Sequence, residues 1–402
     1  MIAIIGGGAA GFFAAIQAAQ NGCEVAIIEA SNQLLSKVRV SGGGRCNVTN
    51  GATSIQELLE GYPRGNKELR GPFTRFNNQD VQSWLEQRGV DLKIEEDGRV
   101  FPVSDDSGTI ISCFMREVDR LGVKIICGFK VQKINRIDSG FELVADDRKI
   151  SANRVIITAG GSRKLSGYDW ISSLGINIIE PVPSLFTFNT PQGPFKQLMG
   201  ISFKDVEVAI LGTKFKTRGA LLFTHWGLSG PAILKLSSIA ARKLHELDYV
   251  FRVSIDFLPD EEASELNLMF RNIKSTQSRK QILSFRHPAF SSRFWEVICQ
   301  ISNIQSGLDW GNISNTQLDA IVTSLKSVTL QVRGKTTFKD EFVTCGGVDL
   351  KEVDFKSMQS KRIPGIYFAG EVLDIDGITG GYNFQAAWTT GYIAGSSACE
   401  SK

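Results

Sequence analysis

Gly6, Gly8 and Gly11 follow the spacing G-x-G-x-x-G between an apolar run, Ile2-Ala3-Ile4-Ile5, and a stretch rich in helix formers, Phe12 to Ala19. In a strand–turn–helix each glycine has its own task. The first permits a sharp turn, the second lets the backbone approach a pyrophosphate, and the third lets helix and strand pack closely. The helix start adds free N–H groups and the positive end of a dipole. Asn21-Gly22 ends the helix, Val25 to Ile28 forms a second apolar strand, and Glu29 follows eighteen residues after Gly11. A carboxylate there accepts hydrogen bonds from ribose hydroxyls. The combination predicts a dinucleotide site. Alone it does not separate NAD from FAD.

Two further segments have the same character. Ser41-Gly42-Gly43-Gly44-Arg45-Cys46-Asn47 carries three glycines in a row, which suit neither strand nor helix. They allow backbone N–H groups to wrap around a flat or anionic ligand. Near the C-terminus, Gly365 to Glu371 reads as a strand ending in Gly370-Glu371. Gly380-Gly381-Tyr382-Asn383 then opens a helix over Phe384 to Ala398. This is a second ligand-facing helix start, and its positive end suits negative charge.

The whole chain sets limits. Its 402 residues exceed one compact core, so two or three domains are expected. A net charge of +3 without a dense Lys/Arg block does not favour nucleic acid. The seven cysteines are scattered without a C-x-x-C pair, which argues against a metal site and for reduced thiols in a cytoplasmic protein. No apolar run has the length of a membrane span, and the start lacks a signal-peptide pattern.

Ser41 to Asn50 matches an S-G-G-G-R-C-N-x-T-N signature, Gly98 to Ser104 matches G-R-V-F-P-x-S, and Phe223 to Pro231 matches F-T-H-x-G-L-S-G-P. With the opening glycines, these segments resemble the BaiN-like or YhiN-like family of FAD-binding flavoproteins. Leu35 and Arg39 stand where that pattern has a glycine and an apolar residue. The resemblance implies an α/β, Rossmann-like FAD domain of the two-dinucleotide-binding type, over 1–185 and 343–402. An inserted β-rich domain spans 186–257 and 323–342, and a small helical subdomain spans 258–322.

The resemblance also implies where FAD lies. Gly6, Gly8, Ala9, Ala10, Gly11, Glu29, Ala30 and Val131 hold its ADP half. Lys37, Ser41, Gly42, Gly43, Gly44, Arg45, Cys46 and Asn47 follow it inward. Ala159, Gly160, Gly161, Gly370, Glu371, Asp376, Gly380, Gly381, Tyr382 and Asn383 close around the rest. No second fingerprint occurs after residue 30, so NADH or NADPH would dock transiently as electron donor. The implied activity is an oxidoreductase acting on a small organic substrate, such as a C=C bond conjugated to a carbonyl. Hydride reaches the β-carbon and a protein group or water protonates the α-carbon. His225 and Cys46 are the candidate catalytic side chains, Arg45 can balance anionic charge, and Asp374 and Asp376 lie before Gly377. A tRNA-modifying flavoprotein and an electron-relay or sensor protein are the alternatives, and the low net charge speaks against the first.

Overall fold

The structure is a computed structural model that describes residues 1–191, 193–285, 287–336 and 343–400. Its opening strand, Ile2–Ile5, is buried along its whole length, as a strand covered on both faces must be. It pairs in parallel with Val25–Ile28 on one side and Arg154–Ile157 on the other. Lys124–Ile126 and Ile366–Phe368 extend the parallel sheet at either end. Beyond Ile366–Phe368 lie two short antiparallel strands, Val353–Asp354 and Gln359–Ser360. Counted by position in the chain, the five parallel strands run fifth, fourth, first, second, third. This is the doubly wound order, and the first strand therefore ends at the crevice where the order reverses.

A separate sheet of Lys133–Ile137, Gly140–Ala145 and Arg148–Ala152 is antiparallel throughout. Lys124–Ile126 joins the parallel sheet, where the Ile126 carbonyl accepts the Glu29 N–H at 2.8 Å.

The helix Ala9–Gln20 packs against the C-terminal helix Tyr382–Glu400. Their approach is too close for side chains on both sides. A Cβ on Gly391 would lie 2.6 Å from the Ala10 carbonyl oxygen, and one on Gly395 would lie 2.3 Å from that of Ala14. The contact carries the far ends of the helices together, where Cys23 and Cys399 form a disulfide with a Cα–Cα distance of 6.0 Å. This corrects the expectation that all the thiols are reduced. Spacing gave no sign of the pair, because 376 residues separate its members. Cross-links over long loops typically stabilise by about 2–4 kcal/mol. Cys23→Ser should lower stability toward denaturant by that order under non-reducing conditions. A reductant should shift the parent protein equally and leave the variant unmoved; a parent midpoint insensitive to reductant would rule the cross-link out.

The chain divides into two compact units, Met1–Ser184 with the described residues of 338–402, and the described residues of 185–337. The second unit contains a seven-stranded antiparallel sheet and the helices Ala263–Thr276, Ser292–Ile301 and Asn315–Lys326. The helical stretch 258–322 was expected to form its own subdomain. It shares a core with the sheet instead, since the Phe294 ring lies 4.7 Å from Phe203 and 4.6 Å from Phe257. Among the described residues no helix is long and apolar enough to cross a membrane.

Candidate functional site

At the end of the opening strand, Gly6 has φ +115°, and a Cβ there would meet the Thr158 carbonyl oxygen at 2.4 Å. Thr158 completes the turn by donating its hydroxyl to the carbonyls of Ile5 and Gly6, both at 3.0 Å. A Cβ on Gly11 would fall 2.0 Å from the Gly6 carbonyl oxygen. Gly8 differs from both: a Cβ there would have nothing within 4 Å. The first and third glycines are thus required by packing, and the second leaves room at a helix start without a side-chain cap.

Glu29 accepts hydrogen bonds from the Gly7 N–H at 2.7 Å and the Ser31 N–H at 2.8 Å. Its carboxylate is thereby oriented by backbone, and its remaining lone pairs can serve a ligand. Beside it lies a cavity of about 390 Å³ lined by Gly6, Glu29, Ala30, Val131 and Ala159. Those five predicted residues meet in a volume suited to a small ligand moiety. The cavity adds Phe129, Ser166 and Trp170, which the sequence did not single out.

Gly42, Gly43 and Gly44 have φ of 58°, 70° and 88°. Three successive left-handed residues explain the glycine triplet, since a Cβ costs about 1–2 kcal/mol at each. Gly43 and Gly44 face open space. The loop is fastened to the C-terminal helix by buried bonds. The Thr49 hydroxyl meets Gln385 Oε1 at 2.6 Å, and Trp388 Nε1 donates to the Val48 carbonyl at 2.9 Å. Asn50 Nδ2 donates to the Gly380 carbonyl at 3.2 Å. With its amide oriented to satisfy both ends, Asn47 accepts from the Gly381 N–H at 2.9 Å and donates to the Thr49 carbonyl at 3.0 Å.

Three predicted residues have other employment. Cys46 is fully buried, and burial pushes its thiol up to about 12 despite a hydrogen bond with Ser41. A protonated, enclosed thiol is neither nucleophile nor oxidant sensor, which corrects its assignment as a catalytic candidate. Arg45 lies 2.7 Å from Glu95 and 3.4 Å from Asp105, with its guanidinium 3.9 Å over the Phe101 ring. Its charge is balanced within the protein, not held for a ligand. Asp376 is completely buried; both its oxygens accept from Arg64, and the Ser184 hydroxyl donates to it at 2.7 Å. It anchors the turn and does not face a cofactor. Arg64 carried no sequence signal.

The rest of the C-terminal return is built to hold its backbone in place. Asn383 clamps the Gly377 peptide, accepting from its N–H at 2.9 Å and donating to its carbonyl at 3.1 Å. The Tyr382 ring occupies the space above Gly61, where a Cβ would lie 2.1 Å from it. A Cβ on Gly381 would lie 2.3 Å from the Thr49 carbonyl oxygen. What these residues can offer a ligand is main chain. Gly370 donates to the Thr390 hydroxyl at 2.9 Å. Glu371 pairs with Lys37 at 2.5 Å and accepts the Thr344 N–H at 3.0 Å. The Thr344 hydroxyl is buried and has no partner among the described residues, and a Cβ on Gly161 would meet it at 2.3 Å. Gly160 again faces open space. Open positions at Gly8, Gly43, Gly44 and Gly160, the oriented Glu29 carboxylate and the orphaned Thr344 hydroxyl all fit an extended dinucleotide such as FAD.

In the second unit, the motif Phe223 to Pro231 forms a tight turn. The Thr224 hydroxyl donates to the Gly227 carbonyl at 3.1 Å and accepts its N–H at 3.2 Å. Gly227 has φ +153°, and a Cβ there would meet the Phe188 carbonyl oxygen at 2.1 Å. The threonine closes the turn, so the turn needs nothing from His225. That ring is exposed and stands edge-on to Trp226 with 3.9 Å between centroids.

A protein-family model described as the HI0933-like protein Rossmann domain matches residues 1–397. A Clostridium scindens protein named 3-dehydro-bile acid delta(4,6)-reductase is 30% identical over 409 residues, covering 99% of both chains. A Haemophilus influenzae protein named ribosomal RNA dihydrouridine synthase is 30% identical over 403 residues, covering 97% of this chain and 96% of the other. The solved 3-ketosteroid-Δ4-(5α)-dehydrogenase of Rhodococcus jostii RHA1 shares the fold, with a TM-score of 0.52 at 15% identity over 99% of this chain and 96% of that one. With full-length matches on this scale and a nucleotide crevice of this construction, the chain belongs to the HI0933-like family and is an FAD-dependent oxidoreductase.

Proposed function

We propose that the protein reduces a C=C bond conjugated to a carbonyl. One observation carries this reading: the two full-length relatives at 30% identity bear names that differ in substrate but agree in bond type. A 3-oxo steroid unsaturated at carbon 4 is an enone, and the C5=C6 bond of uracil is conjugated to its C4 carbonyl. FAD, when bound and reduced by NADH or NADPH, would supply the hydride. The chain's own part is to hold that group, orient the substrate and deliver a proton.

Gly6, Gly8 and Gly11 shape the turn that would admit the pyrophosphate, Glu29 would take the ribose, and the helix start at Tyr382 would turn its positive end toward anionic charge. We assign proton delivery to His225. It is exposed, and Thr224 relieves it of any role in the turn. Cys46, buried and protonated, is not a candidate.

Anaerobic stopped-flow mixing tests this. NADH or NADPH should bleach the flavin absorbance, and a 3-oxo-Δ4 steroid or a uracil nucleoside should restore it, while an isolated alkene should not. His225→Gln should slow that restoration by about 10²–10⁴-fold and leave both FAD content and bleaching rate unchanged. The reading fails if neither nucleotide bleaches the flavin, or if conjugated and isolated alkenes behave alike. An unaltered His225→Gln removes the proton assignment alone.

A further inference from the structure

We propose that a groove on the first unit binds single-stranded RNA through its phosphodiester backbone. The inference rests on the uracil form of the function above and names its substrate as a macromolecule. The groove runs between the helix Asn66–Phe73 and the short strands at the edge of the parallel sheet, and encloses about 670 Å³.

Five cationic side chains from separate parts of the chain line it: Lys67, Arg75, Lys351, Lys356 and Lys361. Two of them brace the walls without losing charge. The Arg75 guanidinium donates to the Lys356 carbonyl, and the Lys361 ammonium donates to the Lys351 carbonyl at 3.0 Å. The carboxylates in the lining are those of Glu68 and Asp354. Asp354 is occupied by its own turn, accepting the Lys356 N–H at 3.0 Å and the Ser357 hydroxyl at 3.3 Å. Lys67, Lys351 and Lys356 are exposed, and none of them forms an ion pair with another described residue.

The distribution of charge selects the occupant. A small carboxylate needs one or two cations, whereas five around one open groove suit a repeating anion. The floor is apolar, with Pro72, Val353 and a half-buried Phe355. Unpaired bases can lie on such a floor while the strand follows the rim, which is how sequence-tolerant single-strand sites combine cations with apolar platforms. A duplex keeps its bases stacked inside and has no use for that floor.

The helix wall is also fixed to the cofactor segment. Arg64 pairs with Asp376, and a Cβ on Gly65, just before the helix, would lie 2.6 Å from Ile375. The groove and the turn leading to Gly380 therefore share one frame. The net charge of +3 concealed the cluster because it averages over 402 residues.

The test is fluorescence anisotropy of a labelled, uridine-rich, single-stranded oligoribonucleotide with the FAD-loaded full chain, over a salt series. The triple variant Lys67→Glu, Lys351→Glu, Lys356→Glu should bind at least roughly tenfold more weakly at low salt. Its slope of log affinity against log salt should be shallower by about 2, from about 0.7 per lost phosphate contact. A matched reversal at the exposed Lys133, Lys214 and Lys280 should leave both values near those of the parent. Yellow colour and flavin absorbance equal to the parent's show that the variant is folded. The proposal is overturned if the parent does not bind the oligonucleotide, if both triple variants lose binding equally, or if polyglutamate binds through these lysines and the oligonucleotide does not. An oligonucleotide bound through the groove but never reduced at its uracils keeps the groove and removes the uracil form of the function. Enone reduction in a protein that does not bind RNA does the reverse.

Discussion

Gly8→Val will yield a folded, colourless protein, whereas Gly11→Val will fail to give a folded one. Both lie in the same turn, and a sequence motif treats them alike. A Cβ on Gly8 enters open space, with nothing within 4 Å, and its backbone is in the extended region that valine prefers. The added methyls disturb no protein contact and fill the place where the pyrophosphate must approach the chain. A Cβ on Gly11 meets main chain at 2.0 Å and the Thr158 hydroxyl at 2.8 Å. Neither can move without opening the turn between the central strand and its helix. Overpacking of this kind costs 1–3 kcal/mol or more even where side chains can yield, and here the obstacle is backbone. Flavin absorbance and circular dichroism separate the outcomes. A yellow Gly8→Val would show that the pyrophosphate passes elsewhere, and a folded, yellow Gly11→Val would show that the helix can retreat from the sheet.

Residues that act through local geometry were legible in the sequence. The opening turn, the glycine triplet and the return at Gly370 and Gly380 each need backbone conformations or clearances that other residues do not supply, so composition betrays them. Local spacing also placed the strands Ile2–Ile5 and Val25–Ile28, because a wholly apolar four-residue run beside a turn has few other uses. Where pairing decided the outcome, the sequence was silent. Cys23 and Cys399 meet because two helices pack lengthwise over small residues, and Arg64 meets Asp376 across the fold. The Ser31–Val40 segment gives an intermediate case. Leu35 stands where the family pattern has glycine, and it adopts φ 54°, buried, with its N–H on the Gly7 carbonyl at 2.8 Å. The departure from pattern marked a position under backbone strain of about 1–2 kcal/mol. The expected catalytic cysteine failed for a different reason: a reactive residue type in a glycine-rich loop had a packing role, and only burial reveals that.

Arg64→Ala should cost about 3–5 kcal/mol of stability, the range for leaving a buried charge without its partner. Asp376 has no solvent exposure, and Arg64 supplies hydrogen bonds to both of its oxygens, leaving the Ser184 hydroxyl as a lesser partner. The loss would not stay local. The same turn is held by the Ile378 N–H on the Gly61 carbonyl at 2.9 Å and by the Asn383 clamp on Gly377, and it leads directly into the helix start proposed to serve the cofactor. FAD retention should therefore fall together with stability. Arg64→Lys keeps the charge but loses the forked geometry, so it should recover only part of the deficit. Removing both partners in Arg64→Leu, Asp376→Leu should be less harmful than Arg64→Leu alone, since no uncompensated charge remains inside. Denaturant titrations of these variants, with Asp376→Leu completing the cycle, give the coupling. A cost below about 1 kcal/mol for Arg64→Ala, the level of an exposed ion pair, would mean that water reaches Asp376 and that the turn is held by its backbone and Asn383 instead.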